Sequence, residues 1–230
     1  MAYETLKHRI YEANMELPRA GVVIYNFGNV SAVDRQAGVI AIKPSGVMYE
    51  DLKPEDIVIV DFDGRVVEGR LKPSSDTKTH LVLYRHFPNI GGVVHTHSLY
   101  AVAWAQACRA IPVYGTTHAD HLHVDIPVTE IMSDDAIERD YEEETGLQIV
   151  RAFQNLSPDE VPMVLVAGHG PFTWGPTPEK AVYHAVILEQ LAQMALLTEQ
   201  INPAVLRLKE KLIQKHYQRK HGPNAYYGQR

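Results

Sequence analysis

Two histidines separated by one residue close the run Gly92-Val93-Val94-His95-Thr96-His97-Ser98, near the middle of the chain. Val93 and Val94 are β-branched and apolar, so the run reads as a buried strand. Side chains alternate between the faces of a strand, which puts His95 and His97 on one side with Cα atoms about 7 Å apart. Two imidazoles at that separation reach one metal ion, although alone they serve equally well as hydrogen-bonded histidines at a strand end. A third imidazole changes the balance. Met163 to Ala167 is another buried strand, and it ends in Gly168-His169-Gly170-Pro171, where a histidine between two glycines is free to enter a crowded site. His95, His97 and His169 match a mononuclear centre of three imidazoles on strand ends. Such a set leaves a coordination position open, the mark of a catalytic rather than a structural zinc. Asp76 could complete it as a carboxylate.

Several strand exits carry groups suited to an oxyanion. Val22 to Tyr25 reads as a strand leading into the turn Asn26-Phe27-Gly28-Asn29-Val30-Ser31, where Gly28 lets the backbone approach a ligand closely. Val39 to Ile42 runs into Lys43-Pro44-Ser45-Gly46, a cation, a hydroxyl and a glycine amide in succession. Ser74-Ser75-Asp76 precedes a helix from Thr77 to about residue 87. Capping explains those serines on its own, and amides at a helix start also bind anions. A Lewis-acidic metal beside a phosphate pocket suits phosphorylated sugars, because the metal polarises a carbonyl.

The elements that must hold these groups alternate between helix and strand. An amphipathic helix spans about residues 3–17, with Leu6, Ile10, Ala13 and Leu17 on one face. Ile57 to Val60 and Val66 to Glu68 flank Asp63-Gly64, a hairpin signal. Helices are expected from Leu99 to about residue 107, over about 144–155, and from Pro178 to about residue 199. Ile111 to Tyr114 and Asp125 to Val128 read as short strands, and Asn202-Pro203 as the start of a last helix reaching about His216. Of the acidic run Glu142-Glu143-Glu144, most reads as a solvated helix face.

Composition narrows the class. The 230 residues are 45% hydrophobic, enough for one continuous core, and a single domain over 1–230 is expected. A formal net charge of −6 argues against a nucleic-acid partner. No run is long and apolar enough to cross a bilayer, and Met1-Ala2-Tyr3-Glu4-Thr5 lacks a signal-peptide pattern. The single Cys108 makes no internal disulfide. A cytoplasmic protein is expected.

Taken in order, Gly28-Asn29-Val30-Ser31, Lys43-Pro44-Ser45-Gly46, Ser74-Ser75-Asp76, His95-Thr96-His97, Gly115-Thr116-Thr117-His118-Ala119-Asp120, Gly168-His169-Gly170-Pro171-Phe172 and Ala225-Tyr226-Tyr227-Gly228-Gln229 resemble the class II sugar-phosphate aldolase/epimerase family. The likeness is to its C4-epimerising branch and runs from the first helix to the tail. It implies an α/β fold, a three-layer α/β/α sandwich with a mixed, mostly antiparallel central sheet. It also implies a homotetramer with sites at subunit interfaces. The expected metal is Zn2+, one per subunit (Mn2+ being an alternative), held by His95, His97 and His169 with Asp76 at or near it. Gly28, Asn29, Ser45, Gly46, Ser74 and Ser75 would hold a phosphorylated pentulose, with Lys43 supporting its phosphate. Asp120 and Tyr227 would be the acid/base pair, with Thr116, Glu142 and His216 nearby. The implied activity is interconversion of L-ribulose 5-phosphate and D-xylulose 5-phosphate in arabinose-type pentose catabolism. An aldolase acting on fuculose or rhamnulose phosphate is the nearest alternative, and it typically carries glutamate where this chain has Asp76. A non-enzymatic scaffold on the same fold fits less well, because the histidines and Asp120 are intact.

Overall fold

Seven strands make one sheet, ordered β4-β3-β2-β1-β5-β7-β6. They are β1 Asn29–Asp34, β2 Val39–Ile42, β3 Val58–Asp61, β4 Val66–Glu68, β5 Gly92–His95, β6 Met163–Val166 and β7 Gly170–Gly175. The structure is a computed structural model describing residues 3–227. Gly228 and Gln229 of the tail motif lie outside the described residues, as do Met1, Ala2 and Arg230. Every pair of neighbouring strands is antiparallel. The parallel component of the mixed sheet is an isolated bridge from Val128 to Leu165.

Period-two alternation divides the apolar residues between two cores. Ile40, Ile42, Val58, Val60 and Val93 join one cluster with Leu81, Trp104 and Ile149. These come from helices α2 (Thr77–His86), α3 (Leu99–Gln106) and α5 (Asp134–Ala152). Val30, Ala32, Val39, Ala41, Ile59 and Val94 face the other way, toward Ile10, Ala13 and Leu17 of α1 (Glu4–Arg19). Helix α6 (Pro178–Ile201) serves both: Ala181, Val182 and Ala185 enter the second cluster, while Leu188, Leu191 and Ala192 enter the first. Helix, sheet and helix form the three expected layers. On the first face α5 lies tight against α2: a Cβ added at Gly146 would fall 2.6 Å from Val82 Cβ.

The structure corrects several expectations. Val22 to Tyr25 is not a strand. The Val22 amide donates back to Leu17 O of α1, and Ile24 and Tyr25 are exposed, so the strand begins only at Asn29. Ile111 and Ile126 make a single bridge rather than two strands. Helix α5 starts at Asp134, where Ser133 accepts from the Ala136 amide, ten residues before its expected start. The last helix, α7, is Glu210–His221 and does not start at Asn202. Asn202 closes α6, Leu208 N–H donates to Val113 O, and Arg207 pairs with Asp125, so residues 202–209 follow the loop beneath them. Between these loops Thr116–Ala119 forms the short helix α4.

Two histidines pack inside this frame with one ring nitrogen on a carbonyl: His118 Nε2 on Val124 O at 3.1 Å, and His184 Nδ1 on Trp174 O at 2.7 Å. Burial pushes both down to about 4. In the unfolded chain they titrate near 6.5, so as the pH falls between those values the unfolded state binds more protons and stability drops. The melting midpoint of the chelated protein is therefore expected to fall from neutral pH to about pH 5. A flat profile over that window would contradict neutral, buried rings.

Candidate metal centre and substrate cavity

Strand pairing brings the histidines together. In the central register Asn29 lies opposite His95, and His95 opposite Phe172. The His95 ring stacks on Phe172 with centroids 4.3 Å apart. Its Nδ1–H donates to Pro171 O at 2.9 Å, because a carbonyl can only accept. That leaves the lone pair on Nε2, which faces His97 Nε2 at 3.0 Å. His169 arrives from the tight β6–β7 turn, and the ligand nitrogens of all three lie within 4.8 Å of one another. Burial lowers His97, assisted by His95, and brings His169 down to about 4. Neutral imidazoles with converging lone pairs are the donor state a divalent cation requires, so the residues fit such an ion. Among the described residues this is the only group of its kind.

Asp76 stands just outside that group, at the start of α2. Asn29 Nδ2 donates to Asp76 Oδ2 at 2.6 Å and to Ser74 Oγ at 3.1 Å. Burial pushes the Asp76 carboxyl up, but His95, His80, the Asn29 hydrogen bond and His169 outweigh it, and the net shift is downward. Behind it lies His80, which no motif or spacing in the sequence marks. It shares a helix face with Asp76 through i, i+4 spacing and is fully buried. Burial takes it down to about 3. Its Nδ1 meets Ser31 Oγ at 2.7 Å, and Ser31 Oγ meets Tyr84 OH at 2.8 Å. Two polar atoms here, Asn29 Oδ1 and His80 Nε2, are buried without a partner among the described residues.

All the residues expected to hold metal or substrate line one cavity of about 490 Å³: Gly28, Asn29, Lys43, Ser45, Gly46, Ser74, Ser75, Asp76, His95, His97 and His169. Phe27, Tyr141 and Glu142 share its wall; of these, Phe27 and Tyr141 gave no signal in the sequence. Gly28 has φ +80°, and a Cβ there would fall 2.8 Å from His95 O, so only glycine lets this loop close on the metal strand. Lys43 departs from the simple picture of a cation reaching outward. It is buried, and its ammonium donates to Val47 O at 2.7 Å and Asn26 O at 3.3 Å. It lies over the Tyr49 ring, and burial lowers it to about 8. It ties together the two loops that wall the cavity. A larger cleft of about 740 Å³ beside α1 and β4 contains none of these residues.

Asp120 and Tyr227 are not in this cavity. Asp120 lies against α7, accepting from Arg219 and from His216 Nδ1, each at 2.9 Å. Lys220 is 3.7 Å away. Burial raises the Asp120 carboxyl, but Arg219 and His216 more than offset this and hold it below the usual carboxylate range. Tyr227 N–H donates to Arg219 O, and the Arg219 guanidinium lies over the Tyr227 ring. Thus Asp120, His216 and Tyr227 form a second cluster on the same chain, with Thr116 at the start of the helix that carries Asp120, while Glu142 belongs to the histidine cavity.

Residues 8–196 match the family model described as "Class II Aldolase and Adducin N-terminal domain". The chain belongs to the class II aldolase family. Class II relatives with curated names include an L-ribulose-5-phosphate 4-epimerase UlaF of Salmonella paratyphi B, 52% identical over 99% of this chain and 100% of that protein. The protein of that name from Salmonella typhi is 51% identical over the same shares. Among solved structures, an L-fuculose 1-phosphate aldolase superposes with a TM-score of 0.81 at 24% identity, covering 94% of this chain and 95% of the other. YgbL of Klebsiella pneumoniae, titled a putative aldolase/epimerase/decarboxylase, superposes with a TM-score of 0.73 at 23% identity, over 94% and 99%. These two likenesses establish the fold. No helix of the described residues is long and apolar enough to cross a membrane.

The purified protein is expected to bind one divalent ion per chain, and His97→Asn to abolish that binding without lowering the melting midpoint of the chelated protein. Titration with a chromophoric chelator reads the first and circular dichroism the second. Wild-type and His97→Asn proteins with equal metal content would contradict the assignment.

Proposed function

We propose that this chain is an L-ribulose-5-phosphate 4-epimerase that interconverts L-ribulose 5-phosphate and D-xylulose 5-phosphate. It would be a cytoplasmic homotetramer in arabinose-type pentose catabolism. The observation that carries the reading is a single cavity in which three histidines face loops rich in glycines and hydroxyls, in a chain half identical to epimerases along its whole length. The metal is proposed to be zinc, held by His95, His97 and His169 with Asp76 beside it. Bound there, it would polarise the C2 carbonyl of the sugar.

The remaining work falls to the chain's own groups. Ser45 and Ser75 are exposed on the cavity wall, and with Ser74, Gly46 and Gly28 they would hold the phosphate and neighbouring hydroxyls. Asn29, fixed by Asp76, would line the sugar's side of the cavity. A base takes the proton of the C4 hydroxyl. The C3–C4 bond then breaks, its electron pair moving toward C2, and leaves the enediolate of dihydroxyacetone and glycolaldehyde phosphate. Rotation of the aldehyde and re-formation of the bond on its other face invert C4. Inversion through a planar carbonyl needs a proton donor or acceptor on each face, and Asp120 and Tyr227 are proposed for these roles. They lie together and away from the histidine cavity of their own chain, and Tyr227 is exposed. A neighbouring subunit would therefore supply both to each working site.

The test is direct. Zinc-loaded protein should convert L-ribulose 5-phosphate to D-xylulose 5-phosphate without accumulating free fragments. Net release of dihydroxyacetone and glycolaldehyde phosphate would mark an aldolase, and no turnover would contradict both readings. Lys43→Met should raise KM several-fold while changing kcat less, since loosening the cavity loops removes mainly uniform binding. An unchanged KM with a large loss in kcat would place Lys43 in the transition state instead.

A further inference from the structure

One side chain without an assigned role reaches a histidine of the metal centre. The hydroxyl oxygen of Tyr141 lies 3.2 Å from His169 Nδ1. It is the only hydrogen-bond partner that the described residues give that ring. A break in α5 builds its position. Asp140 leaves helical geometry (φ −166°, ψ 88°), and its Oδ1 accepts from the Glu143 amide at 3.3 Å, as an N-cap does. A second helical segment therefore starts at Tyr141 and Glu142, the two α5 residues on the cavity wall. That segment is pinned to α2. Lys78 pairs with Asp140, Thr79 Oγ1 donates to Glu142 O at 2.6 Å, and Gly146 admits the Val82 side chain.

A histidine that binds a cation through Nε2 carries its proton on Nδ1, and an oxygen accepting that proton fixes both tautomer and ring orientation. His95 has such an acceptor in Pro171 O. We propose that Tyr141 is a positioning residue of the metal centre, whose hydroxyl accepts the Nδ1 proton of His169 and holds Nε2 toward the ion. This rests on the three histidines being that centre. The break at Asp140 is then the device that aims the phenol.

The experiment compares zinc dissociation constants, by chelator competition, for wild type, Tyr141→Phe and Lys78→Met. Tyr141→Phe removes only the hydroxyl and should weaken zinc binding about 10- to 100-fold. Its KM for L-ribulose 5-phosphate at saturating zinc should equal that of wild type. Lys78→Met leaves the cavity wall untouched and should shift affinity in the same direction by less. If Tyr141→Phe melts lower than wild type after chelation, the Lys78→Met comparison decides. An unchanged zinc affinity in the deciding variant overturns the proposal. So does an unchanged affinity with a raised KM, which would make Tyr141 a sugar contact. Failure of wild type to bind zinc at all would instead overturn the metal-centre reading beneath it.

Discussion

The site depends on one register. Strand β5 lies between β1 and β7 so that Asn29, His95 and Phe172 sit side by side across the sheet. A slip of one residue in β5 would send His95 to the α1 side and bring Val94 to His97 and His169. What forbids the slip is the burial of both faces: Val93 belongs to one core and Val94 to the other. The same register sets Ser31 against His80 and Asn29 against Asp76, so strand and helix α2 meet in two polar rungs within an otherwise apolar layer. The chemistry is placed by packing that has no chemistry of its own.

Burial also sets the protonation states. His80, His97 and His169 are all driven toward the neutral form by desolvation, while the Asp76 carboxyl is shifted down and accepts a hydrogen bond from the Asn29 amide. Neutral nitrogens beside a fixed carboxylate make a site of net negative character, suited to a divalent cation. Lys43 illustrates the opposite economy. Its cation is turned inward to two backbone carbonyls, so the loops bearing Asn26 and Ser45 are braced by a charge on the cavity wall.

Much of this was legible in the sequence because it is local. Val39 to Ile42, Met163 to Val166 and the Asp63-Gly64 hairpin follow from β-branched runs and turn residues, and every proposed ligand-holding residue falls in one cavity. The misreadings have physical causes. Val22 to Tyr25 has strand composition, but its first amide is already spent on α1, and Ile24 and Tyr25 stay exposed. Residues 202–209 carry a helix-start signal that contacts with Val113 and Asp125 override. His80 and Tyr141 act through tertiary neighbours, which periodicity does not reveal. Asp120 was readable from the motif Gly115-Thr116-Thr117-His118-Ala119-Asp120, but not that α7 would claim it through Arg219 and His216.

That division of the machinery is the central claim: each working site joins the histidine cavity of one chain to the Asp120 cluster of another. It is tested by mixing two inactive proteins, His97→Asn and Asp120→Asn, unfolding them together and refolding. Heterologous contacts around a closed ring would give roughly a quarter of sites an intact cavity facing an intact cluster at equal mixing. The account predicts epimerase activity near that fraction of wild type. If mixed oligomers form and the mixture is no more active than the parents refolded alone, the site is not shared between chains.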